Sequence, residues 1–223
     1  MDNPRAWSEL YEDRRYHWKG PDPAVVAIAA RWRELGVRLI HDLGCGAGRH
    51  TAFLQTQHFL VVGSDIALPG LAATSALLDD LALPRVLVRS DMGRMPFADG
   101  CFDATVATNV LNHGLRADLQ AAIDEIHRTL RDGGEVLLTV LNTWDWRCGE
   151  GTQLEHNSFQ LTEGPETGIL HHFFDEEDLR AWLAAFELID ITRVRGVLEI
   201  GRMPSERSVH RDAWQVLARR VNT

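Results

Sequence analysis

Short apolar runs alternate with longer segments of helical periodicity along much of the chain. Five apolar runs predict buried strands, at residues 39–43, 59–63, 85–92, 104–108 and 135–141. Four segments whose apolar residues recur with a period near 3.6 predict helices, at 25–35, 49–57, 69–81 and 115–130. Because strands and helices alternate, the pattern predicts an α/β fold with a mostly parallel sheet.

The two ends of the chain depart from this alternation. A first helix is predicted at 6–18, ended by Pro21 and Pro23. Periodicity fails from 142 to 170, which predicts a long loop of the kind that often carries function. A short extended piece at 171–174 and a helix from Asp175 to about residue 185 follow, with Asp175 and Asp178 in the spacing of a capping box. Two last strands are predicted at 187–194 and 213–220, joined by an excursion at 196–211.

The turn after the first strand predicts a nucleoside-cofactor site. Residues 42–50 read D-L-G-C-G-A-G-R-H, in which three alternating glycines allow close approach of the backbone to a ligand. The second apolar run is followed by Asp65, and an acid about twenty residues after a glycine turn suits the hydroxyls of a ribose. Arg49 replaces the third glycine of a dinucleotide fingerprint, and Asp42 would oppose a pyrophosphate. Both features argue against a nicotinamide dehydrogenase.

The string at 42–50 resembles the first motif of class I S-adenosylmethionine-dependent methyltransferases, in their small-molecule branch (methyltransferase domain 11/25-like). Residues 95–104, M-P-F-A-D-G-C-F-D-A, are similar to the family's "LPF-DGSFD" segment, with Cys101 in place of a small hydroxyl residue. The resemblance implies a Rossmann-like sheet of seven strands, mostly parallel with one antiparallel strand, and helices on both faces. It implies a single domain over 1–223, divided into an N-terminal helical lid (1–35), a cofactor-binding core (36–142), and a substrate-side loop with a C-terminal strand hairpin (143–223).

The implied cofactor is S-adenosylmethionine, and the product S-adenosylhomocysteine. The resemblance assigns the glycine turn to the methionine portion, Asp65 to the ribose, Asp91 with Met92 to the adenine, and Asn109 with Val110 to the pocket beside the methionine. The cofactor-binding residues that the resemblance implies are Asp42, Gly44, Cys45, Gly46, Gly48, Asp65, Ile66, Asp91, Met92, Asn109 and Val110. Asp65 and Asp91 could instead be helix N-caps, and Asp42 could cap amides of the glycine turn.

Candidates on the substrate side are histidines and residues of the first helix. His113 follows the fourth strand near the expected methyl group and could act as a base, contact the substrate or simply pack; His171 is a second candidate for catalysis. Because His171 and His172 are adjacent in an extended segment, only one of them can face the site. The remaining substrate-side candidates are Tyr11, Arg15, Trp18, His113 and His172. The aromatic stripe of the first helix could equally be core.

The composition of the chain limits the kinds of binding partner that we expect. The net charge is −9, from 23 basic and 32 acidic residues, which is a poor match for a nucleic-acid backbone. The arginines between 193 and 220 are interpreted as a solvated face. Three widely spaced cysteines form neither a disulfide framework nor a metal motif. Without an apolar membrane span or secretory core, we expect a cytoplasmic protein, as a monomer or homodimer.

The predicted function is methyl transfer to a small molecule by in-line displacement. A base is needed only if the acceptor carries a proton with a high pKa. Oxygen, nitrogen, sulfur and carbon acceptors all stay open. The alternative is a non-catalytic S-adenosylmethionine-binding regulator or partner subunit, since cofactor residues by themselves predict binding and not turnover.

Overall fold

A computed structural model describes residues 4–12, 20–164, 166–198 and 209–221. The helices are α1 (Pro4–Glu12), α2 (Pro23–Glu34), α3 (Arg49–Thr56), α4 (Leu68–Asp80), α5 (Arg116–Thr129) and α6 (Glu176–Trp182). The strands are β1 (Leu39–Leu43), β2 (Leu60–Asp65), β3 (Leu87–Arg89), β4 (Phe102–Thr108), β5 (Leu130–Leu141), β6 (Thr152–Glu155), β7 (Ser158–Gln160), β8 (Leu170–His172), β9 (Phe186–Leu198) and β10 (Val209–Arg220).

Seven strands form the main sheet, in the order β3-β2-β1-β4-β5-β10-β9. Strand β10 is antiparallel to both β5 and β9, whereas the pairs among β1 to β5 are parallel. This arrangement confirms the predicted Rossmann-like sheet with one antiparallel strand. The chain proceeds outward from β1 to β3 and then crosses to β4, so a crevice is expected at the carboxyl ends of β1 and β4.

Helices cover both faces of the sheet. On one face Trp32 of α2 and Leu54 of α3 pack against Ile40 of β1 in one buried cluster. On the other face Leu119 and Ile123 of α5 pack in a second cluster that includes the C-terminal strands. Burial on both faces explains why the central strands are continuous apolar runs in the sequence.

Side-chain caps fix two helix starts that the sequence marks. Asp22 accepts a hydrogen bond from the backbone amide of Ala24 (2.9 Å) at the start of α2, where Pro23 is the first residue. Asp175 accepts from the amide of Asp178 (2.8 Å) at the start of α6, as predicted. Helix α6 ends at Trp182, earlier than predicted, because residues 183–185 turn directly into β9.

The segment predicted as a long loop at 142–170 contains regular structure. Strands β6, β7 and β8 form a small antiparallel sheet, in which Phe159 lies opposite His171. Each of these strands has three or four residues, which is too short for alternation to stand out in the sequence. The last two strands also extend further into the predicted excursion than expected, to Leu198 and from Val209.

The first helix is described only in part. Helix α1 ends at Glu12, and residues 13–18 of the predicted helix lie outside the described residues. Within the described parts of the chain, no helix combines the length and apolar character needed to cross a membrane.

Candidate active site

A cavity of about 1110 Å³ opens at the carboxyl ends of β1, β2 and β4. One end is bounded by the glycine turn, Asp65 and Asp91, and the other by aromatic and charged residues from distant segments. The predicted cofactor residues on its wall are Gly44, Cys45, Gly46, Asp65, Ile66, Asp91, Met92, Asn109 and Val110. The cavity therefore gathers residues from four successive strand ends.

The glycine turn needs its glycines for two reasons. Gly44, Gly46 and Gly48 have φ values of 65°, 53° and 84°, in the left-handed region that other residues adopt only with strain. A Cβ atom on Gly44 would also overlap Val110, and one on Gly46 would overlap the Tyr11 hydroxyl. The turn is thus closely covered by the chain after β4 and by α1.

Asp65 ties the end of β2 to the glycine turn. Its Oδ2 accepts a hydrogen bond from the amide of Gly46 (2.8 Å), and its Oδ1 accepts from the amide of Ala67 (2.8 Å). Burial raises the pKa of the Asp65 carboxyl, while these backbone hydrogen bonds oppose the shift. Each carboxylate oxygen keeps a further lone pair for a ligand.

Two predicted cofactor residues do not line the cavity. Asp42 is buried behind the turn, where its Oδ2 accepts a hydrogen bond from the Thr51 hydroxyl (2.6 Å). Burial raises the pKa of Asp42 to about 6. Gly48 packs against Thr74, whose hydroxyl donates to the carbonyl of Gly46 (2.6 Å). Both residues therefore support the turn from behind.

The far side of the end bounded by the glycine turn is formed after β3. Asp91 Oδ1 accepts from the amide of Gly93 (2.8 Å), which shapes the loop. The neighbouring Ser90 hydroxyl is buried and has no hydrogen-bond partner among the described residues, although Ser90 lines the cavity. A buried polar atom in this state is normally satisfied by a ligand or by water.

Helix α1 forms one wall of the cavity. Trp7, Leu10 and Tyr11 line it, and the Trp7 ring meets the His113 ring edge-on with centroids 4.5 Å apart. Burial and the nearby Asp65 carboxylate raise the pKa of the Tyr11 phenol. Arg15 and Trp18, the other two substrate-side candidates from this segment, lie outside the described residues.

His113 lies on the cavity wall with both ring nitrogens engaged. The carbonyl of Leu170 lies 3.2 Å from Nδ1 and can only accept, so Nδ1 carries the proton. Nε2 then accepts from the side-chain amide of Asn112 (2.8 Å), which leaves Asn112 Oδ1 buried and without a partner among the described residues. Burial, with a contribution from nearby His171, lowers the pKa of His113 to about 3. His113 is therefore neutral at physiological pH.

His171 lies behind the wall, where its Nε2 is 3.2 Å from Glu166 Oε2. The same oxygen is 3.1 Å from Arg147 Nη1, and Arg147 Nε is 2.8 Å from Asp145 Oδ1. Burial alone would raise the pKa of Glu166, but the contacts with His171 and Arg147 outweigh it and lower that pKa. Glu166 and Arg147 line the cavity, and His171 supports them.

His172 faces the other way, as alternation along β8 requires. Its Nδ1 lies 2.8 Å from the Ser158 hydroxyl, and its ring stacks on Trp182 with centroids 5.1 Å apart. Burial lowers the pKa of His172 to about 4. The structure thus brings His113 to the cavity and leaves His172 in the protein interior.

Comparison with known proteins identifies the family. Residues 41–138 match a family model described as a methyltransferase domain. A demethylmenaquinone methyltransferase of Beutenbergia cavernae is 30% identical over 81% of this chain and 78% of its own length. The chain belongs to the class I S-adenosylmethionine-dependent methyltransferases. Its cofactor is S-adenosylmethionine.

Other relatives of this methyltransferase differ in what their names say they act on. A protein of Encephalitozoon cuniculi named as a methyltransferase is 31% identical over 63% of this chain and 66% of its own length. A tRNA N(3)-methylcytidine methyltransferase of Drosophila melanogaster is 26% identical over 82% of this chain. The chain spans 60% of the length of that relative, so the relative contains a large part that this chain does not match.

Solved structures share the fold of the methyltransferase. A methyltransferase of Methanosarcina mazei has a TM-score of 0.68 at 20% identity, over 83% of this chain and 93% of that one. The 1,6-didemethyltoxoflavin-N1-methyltransferase of Burkholderia thailandensis, solved with its substrate and S-adenosylhomocysteine, has a TM-score of 0.66 at 19% identity, over 100% and 92%.

Sequence reasoning missed several cavity residues of the methyltransferase. Arg211 had been grouped with a solvated arginine face, but it lines the cavity, and its Nη2 donates to Asn109 Oδ1. Trp146 and Arg147, from the segment predicted as a loop, also line it. No local motif marks these residues, because only the packing of β10 and of residues 143–166 brings them to the site. Among the described residues, no three His, Cys, Asp or Glu side chains are grouped as a metal site would require.

Proposed function

We propose that the protein transfers the methyl group of S-adenosylmethionine to a small-molecule acceptor. The observation that carries this proposal is the continuity of one cavity between the glycine turn and a wall of aromatic and charged residues, Trp7, Trp146 and Arg147 among them. Its volume of about 1110 Å³ exceeds that of many single-ligand pockets, which leaves room for an acceptor beside a cofactor.

The cofactor end of the cavity suits a nucleoside without phosphates. We assign Asp65 to the ribose hydroxyls, because its carboxylate lies on the wall and is oriented by two backbone amides. We assign Ser90, Asp91 and Met92 to the adenine, since the Ser90 hydroxyl is buried and has no partner among the described residues. The left-handed backbone of Gly44 lets the chain pass close to the methionine portion.

Bound cofactor supplies a methyl group on a positively charged sulfur, from which a neutral thioether leaves. The protein therefore has little to activate, and its contribution is to hold the acceptor in line with the methyl group. Such positioning can be worth about 7–11 kcal/mol in favourable cases. Residues 109–113 after β4 and helix α1 are placed to do this, because both border the centre of the cavity.

The geometry of His113 favours a positioning role over a general base. A base must offer a lone pair to the substrate, and the only basic nitrogen of neutral His113 already accepts from Asn112. A pKa near 3 also makes the group a weak base. We propose that His113 fixes the side chain of Asn112 and the packing of Trp7, and that His171 acts through Glu166.

A small acceptor agrees with the charge of the chain. A net charge of −9 disfavours a nucleic-acid backbone, and an aromatic wall favours a compact organic molecule. The tRNA-methylating relative makes nucleic acid the main competitor, and a malonyl-[acyl-carrier protein] O-methyltransferase of Dechloromonas aromatica, 28% identical over 81% of this chain, makes a carrier-bound acid another.

The test is formation of S-adenosylhomocysteine from labelled S-adenosylmethionine with three acceptor sets: a metabolite library, total tRNA and an acylated carrier protein. We expect transfer to a member of the metabolite library, abolished in Asp65→Ala. Transfer only to tRNA or to the carrier protein would overturn the small-molecule proposal. Micromolar cofactor binding with no transfer to any set would favour the non-catalytic alternative.

A further inference from the structure

The end of the cavity that we propose for the acceptor contains a guanidinium, that of Arg211, without an ion-pair partner among the described residues. Arg211 lines the cavity, and among the described residues no carboxylate lies within ion-pair distance of its guanidinium. Its hydrogen-bond partner is a neutral amide oxygen, Asn109 Oδ1. The next residue along β10, Asp212, points to the opposite side and is paired with Arg193 (2.6 Å) and Arg195 (3.2 Å).

Arg147, another arginine of the cavity wall, is in a contrasting state. Arg147 is held between two carboxylates, Asp145 at 2.8 Å and Glu166 at 3.1 Å. Burial lowers the pKa of Arg211 and the guanidinium groups of Arg147 and Arg49 lower it further, whereas the carboxylates of Asp145 and Asp22 oppose the shift. A guanidinium that is partly buried and repelled by its neighbour is stabilised when an anion binds beside it.

An unsatisfied hydrogen-bond donor also borders the same cavity. The indole Nε1 of Trp146 is buried and has no acceptor among the described residues. A buried indole N–H usually has a hydrogen-bond partner. Trp146 can only donate through this atom, so the group that satisfies it must be an acceptor, and an anionic oxygen is an acceptor that also suits a guanidinium.

We propose that the methyl acceptor carries an anionic oxygen group, a carboxylate or a phosphate, which Arg211 and Trp146 bind. Asn109, whose side chain accepts from the Arg211 guanidinium, directly precedes Val110, and all three residues line the cavity. The anion would therefore anchor the acceptor close to the reacting methyl group. This inference rests on the proposed function, because it names the class of substrate for the same cavity.

The test measures binding of anionic probes to protein already saturated with S-adenosylhomocysteine. The probes are acetate, benzoate, phenyl phosphate and inorganic phosphate, and acetamide and benzamide are the neutral counterparts. We expect at least one acid to bind at least about 10-fold more tightly than its neutral counterpart, as a charged hydrogen bond implies. We expect that preference to be lost in Arg211→Gln, kept in part in Arg211→Lys, and reduced about 10-fold in Trp146→Phe.

Two controls separate this inference from its rivals. Arg33→Gln removes an exposed arginine from α2 and should leave probe binding unchanged. Arg211→Gln should bind S-adenosylmethionine within about 3-fold of the native protein; a loss of 10-fold or more would mean that Arg211 binds the carboxylate of the cofactor, and would overturn the proposal.

The probe measurements do not require turnover. A protein that binds acids through Arg211 but methylates nothing would contradict the proposed function and leave the anion site standing. A protein that methylates small molecules and shows no preference for any acid would contradict the anion site alone. Circular dichroism of each variant, compared with Arg211→Lys, identifies any variant that fails to fold.

Discussion

The two ends of the cavity are built in different ways. The cofactor end comes mainly from one continuous strand-turn-helix, Leu39–Thr56, and from the residue that ends β2, Asp65. The end that we propose for the acceptor is assembled from α1, from residues 112–113, from lining residues between 146 and 164, from Glu166 and from Arg211. A site made of neighbouring residues leaves a motif in the sequence, whereas a site made of distant residues leaves none.

The two ends also differ in electrostatics. At the cofactor end, carboxylates are satisfied largely by backbone amides, as Asp65 is by Gly46 and Ala67. At the proposed acceptor end, charged side chains form ion pairs with one another, as Glu166 does with Arg147. Arg211 donates to Asn109 and has no ion-pair partner among the described residues. Variants at the two ends should therefore separate cofactor binding from acceptor binding.

The largest effect is expected from Asp65→Ala at the cofactor end. The substitution removes the assigned ribose ligand and releases the amide of Gly46. We expect the Kd for S-adenosylmethionine, measured by calorimetry, to rise about 100- to 1000-fold, or about 3–4 kcal/mol. Asp65→Asn keeps the shape of the side chain and removes its charge, so its Kd should lie between those of the native protein and Asp65→Ala. Unchanged affinity in both variants would exclude Asp65 from the cofactor site.

Gly46→Ala should damage the same end through the backbone. Alanine at φ 53° is strained, and its Cβ would overlap the Tyr11 hydroxyl. We expect the free energy of unfolding to fall by about 2–4 kcal/mol, measured by urea denaturation. In the double variant with Tyr11→Ala, the part of this stability loss that comes from overlap with the Tyr11 side chain should be recovered. The part that comes from the strained backbone angle φ should remain. No recovery would mean that Tyr11 does not cover the turn in solution.

Acid should weaken the fold through its buried histidines. Burial lowers the pKa values of His41, His50 and His113 to about 3 and that of His172 to about 4, from an ordinary 6.5. The unfolded chain then binds more protons than the folded one below pH 6.5, so this contribution to stability is complete above pH 6.5 and is lost as pH falls towards 3–4.

Two carboxyls act in the opposite direction. Burial raises the pKa values of Asp42 and Asp65, so the folded chain takes up protons there as the pH falls. With four histidines and two opposing acids, we expect the free energy of unfolding to fall by about 2–3 kcal/mol from pH 6 to pH 5. In His172→Phe, the free energy of unfolding, measured by urea denaturation at several pH values, should depend less steeply on pH. A slope of zero or of opposite sign would contradict the burial of these rings.

Glu166→Gln tests the acceptor end. The neutral amide loses the charge pairing with Arg147 and alters the contact with His171, although Arg147 keeps Asp145. We expect a loss of about 1–2 kcal/mol in stability by thermal denaturation, with affinity for S-adenosylmethionine within about 3-fold of native. Glu163→Gln, an exposed neighbour, is the matched control. A large loss of cofactor affinity in Glu166→Gln would show that the two ends are energetically one site.

The smallest change in stability is expected at an exposed ion pair, which serves as the reference for the other variants. The exposed pair Arg180–Glu176 spans one turn of α6 at 2.7 Å. We expect Arg180→Gln to change the unfolding free energy by less than about 0.5 kcal/mol and cofactor binding not at all. A larger effect would mean that stability differences of this size cannot be used to compare the ends of the cavity.

Sequence patterns predicted the main sheet well, but of the small sheet they predicted only the extended piece at 171–174, which overlaps β8. Strand β1 is a buried apolar run with a glycine turn after it, and these signals depend on residues a few positions apart. Strands β6, β7 and β8 are too short to produce a period, and β8 depends on pairing with β7. The resemblance implied a set of cofactor residues most of which line the cavity, whereas Asp42 and Gly48 lie behind the turn.

The sequence by itself determined the α/β alternation, the glycine turn, the strand-terminal acids and hence the cofactor. These features follow from local rules, since a strand must bury its face and a ligand needs a close backbone. Only the tertiary structure decided that His172 faces the interior, that the basic nitrogen of His113 is occupied by Asn112, and that Arg211 enters the cavity. Those outcomes depend on which distant segments pack together, and packing sums many small contacts that no short stretch of sequence records.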